Sequence, residues 1–281
     1  MGLEITGRNG NVMKYLKNFY KYRFLLYEIV RKNIKLQYRN SILGVFWTFL
    51  QPLLTTLVLV VVFGGVFGAD RSYTVNYPIY LLCGRLIYEF FSQSTKRAMR
   101  SINNSASVIK KVYVPKYIYP ISNVLANFIT FLISLLVLVC FIVFYYFFTD
   151  KQPVINAHVL LAFVPIVILL ILCVGVGLIL STLAVFFKDI EYLYEVFCML
   201  LFYLTPIFYH VDQLRLPNKI FRYALMGNPL YSITEMFRSC VLYGEMFNIN
   251  HLLYALGFSL ATLLIGLYVF YKKQDKFILH I

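Results

Sequence analysis

Tyr38-Arg39-Asn40-Ser41-Ile42-Leu43-Gly44-Val45-Phe46-Trp47-Thr48-Phe49-Leu50-Gln51-Pro52-Leu53 is the stretch that decides how this chain is read. A basic segment leads into it. Leu25, Leu26, Ile29, Val30 and Ile34 fall on one helical stripe, and Arg23, Arg31, Lys32, Lys35 and Arg39 fall elsewhere. A long apolar run leaves it. A cationic amphipathic helix settles in the membrane interface, and about 20 apolar residues cross the hydrocarbon core. The junction thus predicts a helix over 20–40 lying flat on the inner face, followed by a crossing of the bilayer. The flat helix reads either as a topological anchor or as an arm that also contacts a cytoplasmic partner. Residues 1–19 read as a flexible N-terminus, and 41–281 as one transmembrane domain.

Composition agrees. Of 281 residues, 60% are hydrophobic and only 14% charged, with a mean hydropathy of +0.74. A soluble domain carries about a quarter charged residues. Aromatics reach 18%, with 26 Phe and 24 Tyr against one Trp, a content that two membrane interfaces can use. The net charge of +14 suggests nucleic acid at first sight, but the basic residues cluster beside apolar runs, where anionic headgroups attract them. No nucleic acid is expected. The five cysteines, Cys83, Cys140, Cys173, Cys198 and Cys240, form no CxxC and read as small apolar packers. The four histidines lack ligand spacing, so no metal site is expected. Residues 1–20 hold no apolar core, so no cleavable signal peptide is expected and the first span acts as its own insertion signal.

Six apolar segments approach crossing length: roughly 43–68, 78–98, 118–148, 158–187, 193–210 and 251–271. The second is the weakest because it contains Arg85 and Glu89. The stretch 211–250 is apolar but broken by Pro217, Gly227, Pro229 and Gly244. It reads as short re-entrant or surface helices buried against protein. The expected fold is therefore all-α, polytopic, with six transmembrane helices. Most of the 26 basic residues precede the first span, fall between Lys96 and Lys116, or lie at Lys188, Lys272, Lys273 and Lys276. By the positive-inside rule both termini are cytoplasmic. Arg71, Lys151, Arg215, Lys219, Arg222 and Arg238 then lie outside.

Absent motifs narrow the function. There is no GxxxxGK[ST] phosphate loop, no HExxH or GxSxG, and no chain of midplane carboxylates of the kind that ion-coupled carriers use. The chain reads as a non-enzyme without a cofactor of its own, and any transport must be powered elsewhere. The inner loop 96–116, closed by Pro115, has helix-compatible spacing over 100–113. It reads as a lipid-facing basic loop or a docking helix for a cytoplasmic protein. Phe186-Phe187-Lys188-Asp189-Ile190-Glu191 is a second short charged contact. Arg85 and Glu89, four apart on a helix, can meet. They read as a self-neutralising pair or as a grip on an anionic substrate.

Five pieces, in order, carry a resemblance: Tyr38-Arg39 with Leu43-Gly44, Trp47 and Gln51-Pro52-Leu53; Ile109-Lys110-Lys111-Val112 with Pro115-Lys116 and Tyr119-Pro120; Phe186-Phe187-Lys188-Asp189-Ile190; Thr205-Pro206-Ile207-Phe208-Tyr209; and Asn228-Pro229 with Glu235-Met236-Phe237-Arg238. Through them the chain, over nearly all of 14–281, resembles the membrane subunit of type-2 ATP-binding-cassette exporters of lipid-linked polysaccharides, the group that exports O-antigen, teichoic acid and capsule. The resemblance implies a second copy of the subunit and two copies of a cytoplasmic ATPase, which would hold the ATP and Mg. It implies an undecaprenyl-linked polysaccharide as substrate and the bacterial inner membrane as location. A channel would lie between the subunits, lined mainly by the first and fifth spans: Phe46, Trp47, Phe49 and Phe63, then Phe197, Phe202, Tyr203, Phe208 and Tyr209. Each of these reads otherwise as lipid-facing or helix-packing. Coupling to the ATPase would involve Arg100, Asn103, Val108, Lys110 and Lys111, with Lys188, Asp189 and Glu191. Arg85 and Glu89 depart from the apolar residues expected there. The rivals are a type-2 exporter of small hydrophobic compounds and a membrane-embedded lipid or sugar transferase.

Overall fold

The computed structural model describes residues 21–66, 76–112, 114–148, 156–209 and 219–280. The expected N-terminus 1–19, Arg71, Lys151 and Arg215 lie outside them. All regular structure among the described residues is helical. Helix α1 spans Arg23–Tyr38. Its stripe of Leu25, Leu26, Ile29, Val30 and Ile34 is turned at least partly inward, and Arg23, Arg31, Lys32, Lys35 and Arg39 are exposed, which is the division expected from the sequence. α1 packs on α5, Ile118–Phe148. A short 3-10 turn, Gly44–Phe46, leads into α2, Trp47–Leu59, which widens into a π-helical turn over Val60–Val66.

Among the described residues, four stretches are long and apolar enough to cross a membrane: Gly44–Phe63, Ile118–Phe148, Ala157–Phe186 and Ile249–Leu279. They hold the first, third, fourth and sixth expected spans. The second expected span lies within α3, Tyr77–Asn104, a single 28-residue helix whose Arg85, Glu89, Lys96, Arg97 and Arg100 keep it from being an apolar span. The fifth lies on α7, Ile190–Leu204, which has only 15 residues. It stops short of residue 210 because Pro206 lacks an N–H and drives Thr205 into extended backbone, φ −82° and ψ 128°. At about 1.5 Å per residue, α7 is near 22 Å long, less than the ~30 Å hydrocarbon core.

The expected helix over 100–113 is also different. α3 runs on through Asn104, breaks at Ser105, and a four-residue helix α4 follows, Ala106–Ile109. Asn103, Asn104 and Ser105 are residue types of low helix propensity, which suits a break there. Within 211–250, the described part holds α8, Lys219–Met226, α9, Pro229–Arg238, and a π-helical turn over Ser239–Tyr243.

The core sits where α3, α5 and α9 meet α6, Phe163–Phe186, and α10, Ile249–Lys273. Tyr77, Ile79, Tyr80, Leu81, Leu82 and Cys83 of α3 are fully buried there. α6 and α10 form the most extensive helix pair. Their backbones touch at Gly175 and Gly266. A Cβ on Gly175 would stand 2.6 Å from the Leu263 nitrogen, and one on Gly266 would stand 2.5 Å from the Gly175 carbonyl oxygen. Small residues that admit backbone contact are a usual means of helix association in lipid. α2 and α7 flank α3 more loosely. Val58 of α2, Val61 of its π-helical extension, and Tyr192, Leu193, Val196 and Met199 of α7 are largely exposed.

Candidate functional site

The aromatics expected to line a channel form two tiers. Phe63 of α2's π-helical end stacks on Phe208, ring centroids 4.9 Å apart. Phe208 meets Phe202 edge-on at 5.1 Å, and Phe202 meets Tyr203 at 5.4 Å. The Tyr209 hydroxyl donates to the Tyr203 carbonyl at 3.0 Å. These five residues thus close a seam between the distal end of α2 and the C-terminal end of α7. Phe46 and Phe49, 5.8 Å apart, lie at the other end of α2 with Trp47, roughly 24 Å from Phe63 by helical rise. Phe197 stands half-exposed beside Tyr194, above α7's first turns. One chain therefore gathers Phe63, Phe202, Tyr203, Phe208 and Tyr209, and leaves Phe46, Trp47, Phe49 and Phe197 apart from them.

The seam is held by the motifs that follow it. The Asn228 side chain caps α9 by accepting from the Leu230 N–H at 3.0 Å and donates to Thr205 Oγ1 at 3.0 Å. Tyr80 donates its hydroxyl to the Tyr209 carbonyl at 2.8 Å. Arg238, which the sequence reading puts with the outer-segment cations, is fully buried. Its guanidinium lies 3.5 Å from the Tyr80 ring centroid, donates to the Tyr80 carbonyl at 3.2 Å and pairs with Glu235 at 3.1 Å. Gly84 leaves the room, since a Cβ there would come 2.6 Å from Arg238 Nη2. Thr205 to Tyr209, Asn228-Pro229 and Arg238, distant in sequence, are thus one packed unit.

Arg85 and Glu89 meet as their spacing implied, Nη2 to Oε1 at 3.3 Å, with side chains 12% and 26% exposed. They lie in a cleft of about 360 Å³ between α2 and α7, with Tyr88 and Phe202. Sequence reasoning missed Tyr88. Its position three residues after Arg85 puts it on the same helical face, and that spacing could have found it.

At the opposite end, the expected coupling residues converge in part. Arg100 donates from Nε to Glu191 at 2.8 Å and from Nη2 to Glu195 at 3.0 Å. Its hydrogen bond to the Glu191 carboxylate holds the guanidinium pKa above the usual value. Asn103 donates to the Ala184 carbonyl at 3.2 Å, linking α3 to the end of α6. Asn103, Lys188 and Glu191 line a cleft of about 400 Å³ with Tyr192 and His280, two residues the sequence did not single out. Val108, Lys110, Lys111, Lys188 and Asp189 are exposed around it. The tail Gln274–Leu279 returns to this end, where Lys116 donates to the Gln274 carbonyl at 2.6 Å. Burial draws the Lys116 pKa down from its ordinary value. Among the described residues no group of His, Cys, Asp and Glu is arranged to hold a metal ion.

Residues 25–242 match the family model described as ABC-2 type transporter. The chain is similar to an O-antigen export system permease protein RfbA of Klebsiella pneumoniae, 32% identical over 254 residues, 90% of this chain and 93% of the relative. It is also similar to the RfbA of Myxococcus xanthus, 26% identical over 267 residues, covering 95% and 98%. The polysialic acid transport protein KpsM of Escherichia coli is 24% identical over 251 residues, covering 87% and 91%.

Proposed function

The chain belongs to the ABC-2 type transporter family, and on that premise we propose that it is the membrane subunit of an ATP-driven exporter of lipid-linked cell-surface polysaccharide. The observation that carries this reading is the similarity to O-antigen export permeases over nine-tenths of this chain and of the relative. The substrate is an undecaprenyl-linked glycan of O-antigen or capsule type, moved from the cytoplasmic to the outer face of the inner membrane. The permease itself does no chemistry. A separate ATPase, holding ATP and Mg, docks on Arg100, Asn103, Val108, Lys110 and Lys111 and on Lys188, Asp189 and Glu191. The exposed charges and the cleft at that end support this assignment.

Two copies pair through the loosely covered apolar faces of α2 and α7, and the channel runs between them. Six crossings result if α3 and α7 are counted with the four apolar spans. Such a count is reasonable where α3 is shielded from lipid by its neighbours and the Thr205–Tyr209 segment extends α7 outward. Both termini then face the cytoplasm. The aromatic seam at Phe63, Phe202, Tyr203 and Phe208 offers flat apolar faces to the C–H faces of sugar rings. Many weak contacts suit a polymer that must also leave. Deleting the gene in its host tests the reading. Surface polysaccharide is expected to disappear while lipid-linked chains accumulate inside; undiminished surface polysaccharide would refute it.

A further inference from the structure

We propose that the cleft between α2 and α7 binds one neutral sugar ring of the passing glycan, and that Arg85 and Glu89 read two adjacent hydroxyl groups on it. The proposal rests on the exporter reading above and gives it a specific contact. Arg85 reaches Glu89 through Nη2 only, at a distance long for a charge-assisted bond. Its Nη1 is buried without a partner, so the guanidinium has a donor unused in a place where an unmade bond is costly. Glu89 gives one carboxylate oxygen to Arg85 and has acceptor capacity left. A ligand that completes both groups must accept and donate at neighbouring atoms.

A vicinal diol does this, since each hydroxyl both accepts and donates. A phosphate or carboxylate only accepts, and in this cleft it would also meet the Glu89 charge. The pair is neutral overall, so it offers an anion no net attraction. The sequence had left open a grip on an anionic substrate, and this geometry disfavours it.

The apolar half of the cleft completes the site. The Tyr88 and Phe202 rings lie 5.0 Å apart, inclined at 58°, and form a corner against which the C–H face of a pyranose can pack. Both rings are held in place beforehand. Tyr88 donates its hydroxyl to the Cys198 carbonyl at 2.6 Å, and Phe202 is braced by Phe208. Fixed rings bind without an ordering cost. The cleft volume of about 360 Å³ is of the size of a small-molecule site.

The test uses the full chain with its ATPase in lipid nanodiscs, titrated with oligosaccharide cut from the host's own exported glycan and freed of lipid. Farnesyl diphosphate serves as the anionic probe, and saturation-transfer NMR reads binding. Arg85→Gln and Glu89→Gln are each expected to weaken oligosaccharide binding by about tenfold, the scale of one hydrogen bond to a charged group, with the diphosphate unaffected. The exchange Arg85→Glu with Glu89→Arg keeps an ion pair on the helix. A purely structural pair predicts parental binding from it, whereas a subsite predicts continued weakness. Should loss of Arg85 prevent assembly, the isosteric Glu89→Gln and Phe202→Leu variants still decide the matter. Parental oligosaccharide binding by assembled variants, or loss of diphosphate binding instead, overturns the subsite. Export measured in the same strains separates the two ideas. A parent that exports normally leaves the exporter reading standing when the subsite fails, while a parent that exports no polysaccharide overturns both.

Discussion

α3 and α7 invert the relation between polarity and burial that holds in water. α3 carries Arg85, Glu89, Lys96 and Arg97, yet the run from Tyr77 to Gly84 is buried throughout. α7 is mostly apolar from Ile190 to Leu204, yet Tyr192, Val196 and Tyr203 are 75%, 68% and 60% exposed. The difference follows from the solvent. An apolar surround, whether lipid or a second subunit, accepts apolar side chains such as α7's without cost, whereas α3's polar groups need protein partners. Several find them: Arg97 donates to Gln37 at 2.6 Å, and Thr95 accepts from the Tyr194 hydroxyl at 2.6 Å. Hydropathy in such a chain reports which solvent a helix meets and says little about how tightly it is packed.

The largest way to break this contrast is at Arg238, which ties α3 to α9. Arg238→Leu is expected to destabilise the protein by about 3 kcal/mol or more, because Glu235 and the Tyr80 carbonyl lose a buried charged partner. Thermal unfolding in detergent would show it; a parental transition would mean that the network contributes nothing. A paired comparison comes next. Leu82→Ala on α3 should cost about 2 kcal/mol, at the low end for a buried leucine because moving an apolar side chain between lipid and protein core supplies little hydrophobic driving force and leaves mainly the packing loss. Leu200→Ala on α7 should leave the unfolding of the single subunit unchanged. Equal effects would dissolve the contrast.

Phe202→Ala with Tyr203→Ala should remove about 0.5–1.5 kcal/mol of ring contact per residue beyond area burial, and lower export more than assembly. Parental export from an assembled double variant would take the seam out of the sugar path. The smallest effect is expected from Arg100→Gln. The residue is 44% exposed, so its ion pairs are worth less than about 1 kcal/mol. Stability should barely move while ATPase-dependent export falls. Unchanged export would argue against a coupling role.

What the sequence disclosed follows the same physics. α5 was legible to the residue, because an apolar run bounded by Pro115 and by the aromatics at 144–148 has one solution in a bilayer. α1's stripe was legible from its period. α7's early end at Thr205-Pro206 was written in the sequence but was overridden by the apolar Ile207, Phe208 and Tyr209 beyond it. The Ser105 break was weakly signalled by Asn103-Asn104. The Arg238 burial was not legible, since its partners are remote in sequence, with Tyr80 158 residues away. Arg100 and Glu191, 91 residues apart, were each singled out for charge and location, but only the fold pairs them.

The glycine contact between α6 and α10 fixes more than a distance. With Gly266 seated on the Gly175 carbonyl and Gly175 on the Leu263 backbone, no side chain intervenes to bend, tilt or exchange rotamers. Two positions in the chain therefore have an alphabet of one letter. The two helices cannot drift apart in register through gradual substitution, because the first added carbon atom already collides with main chain. Evolution can retune the seam and the clefts residue by residue, but it inherits this joint whole.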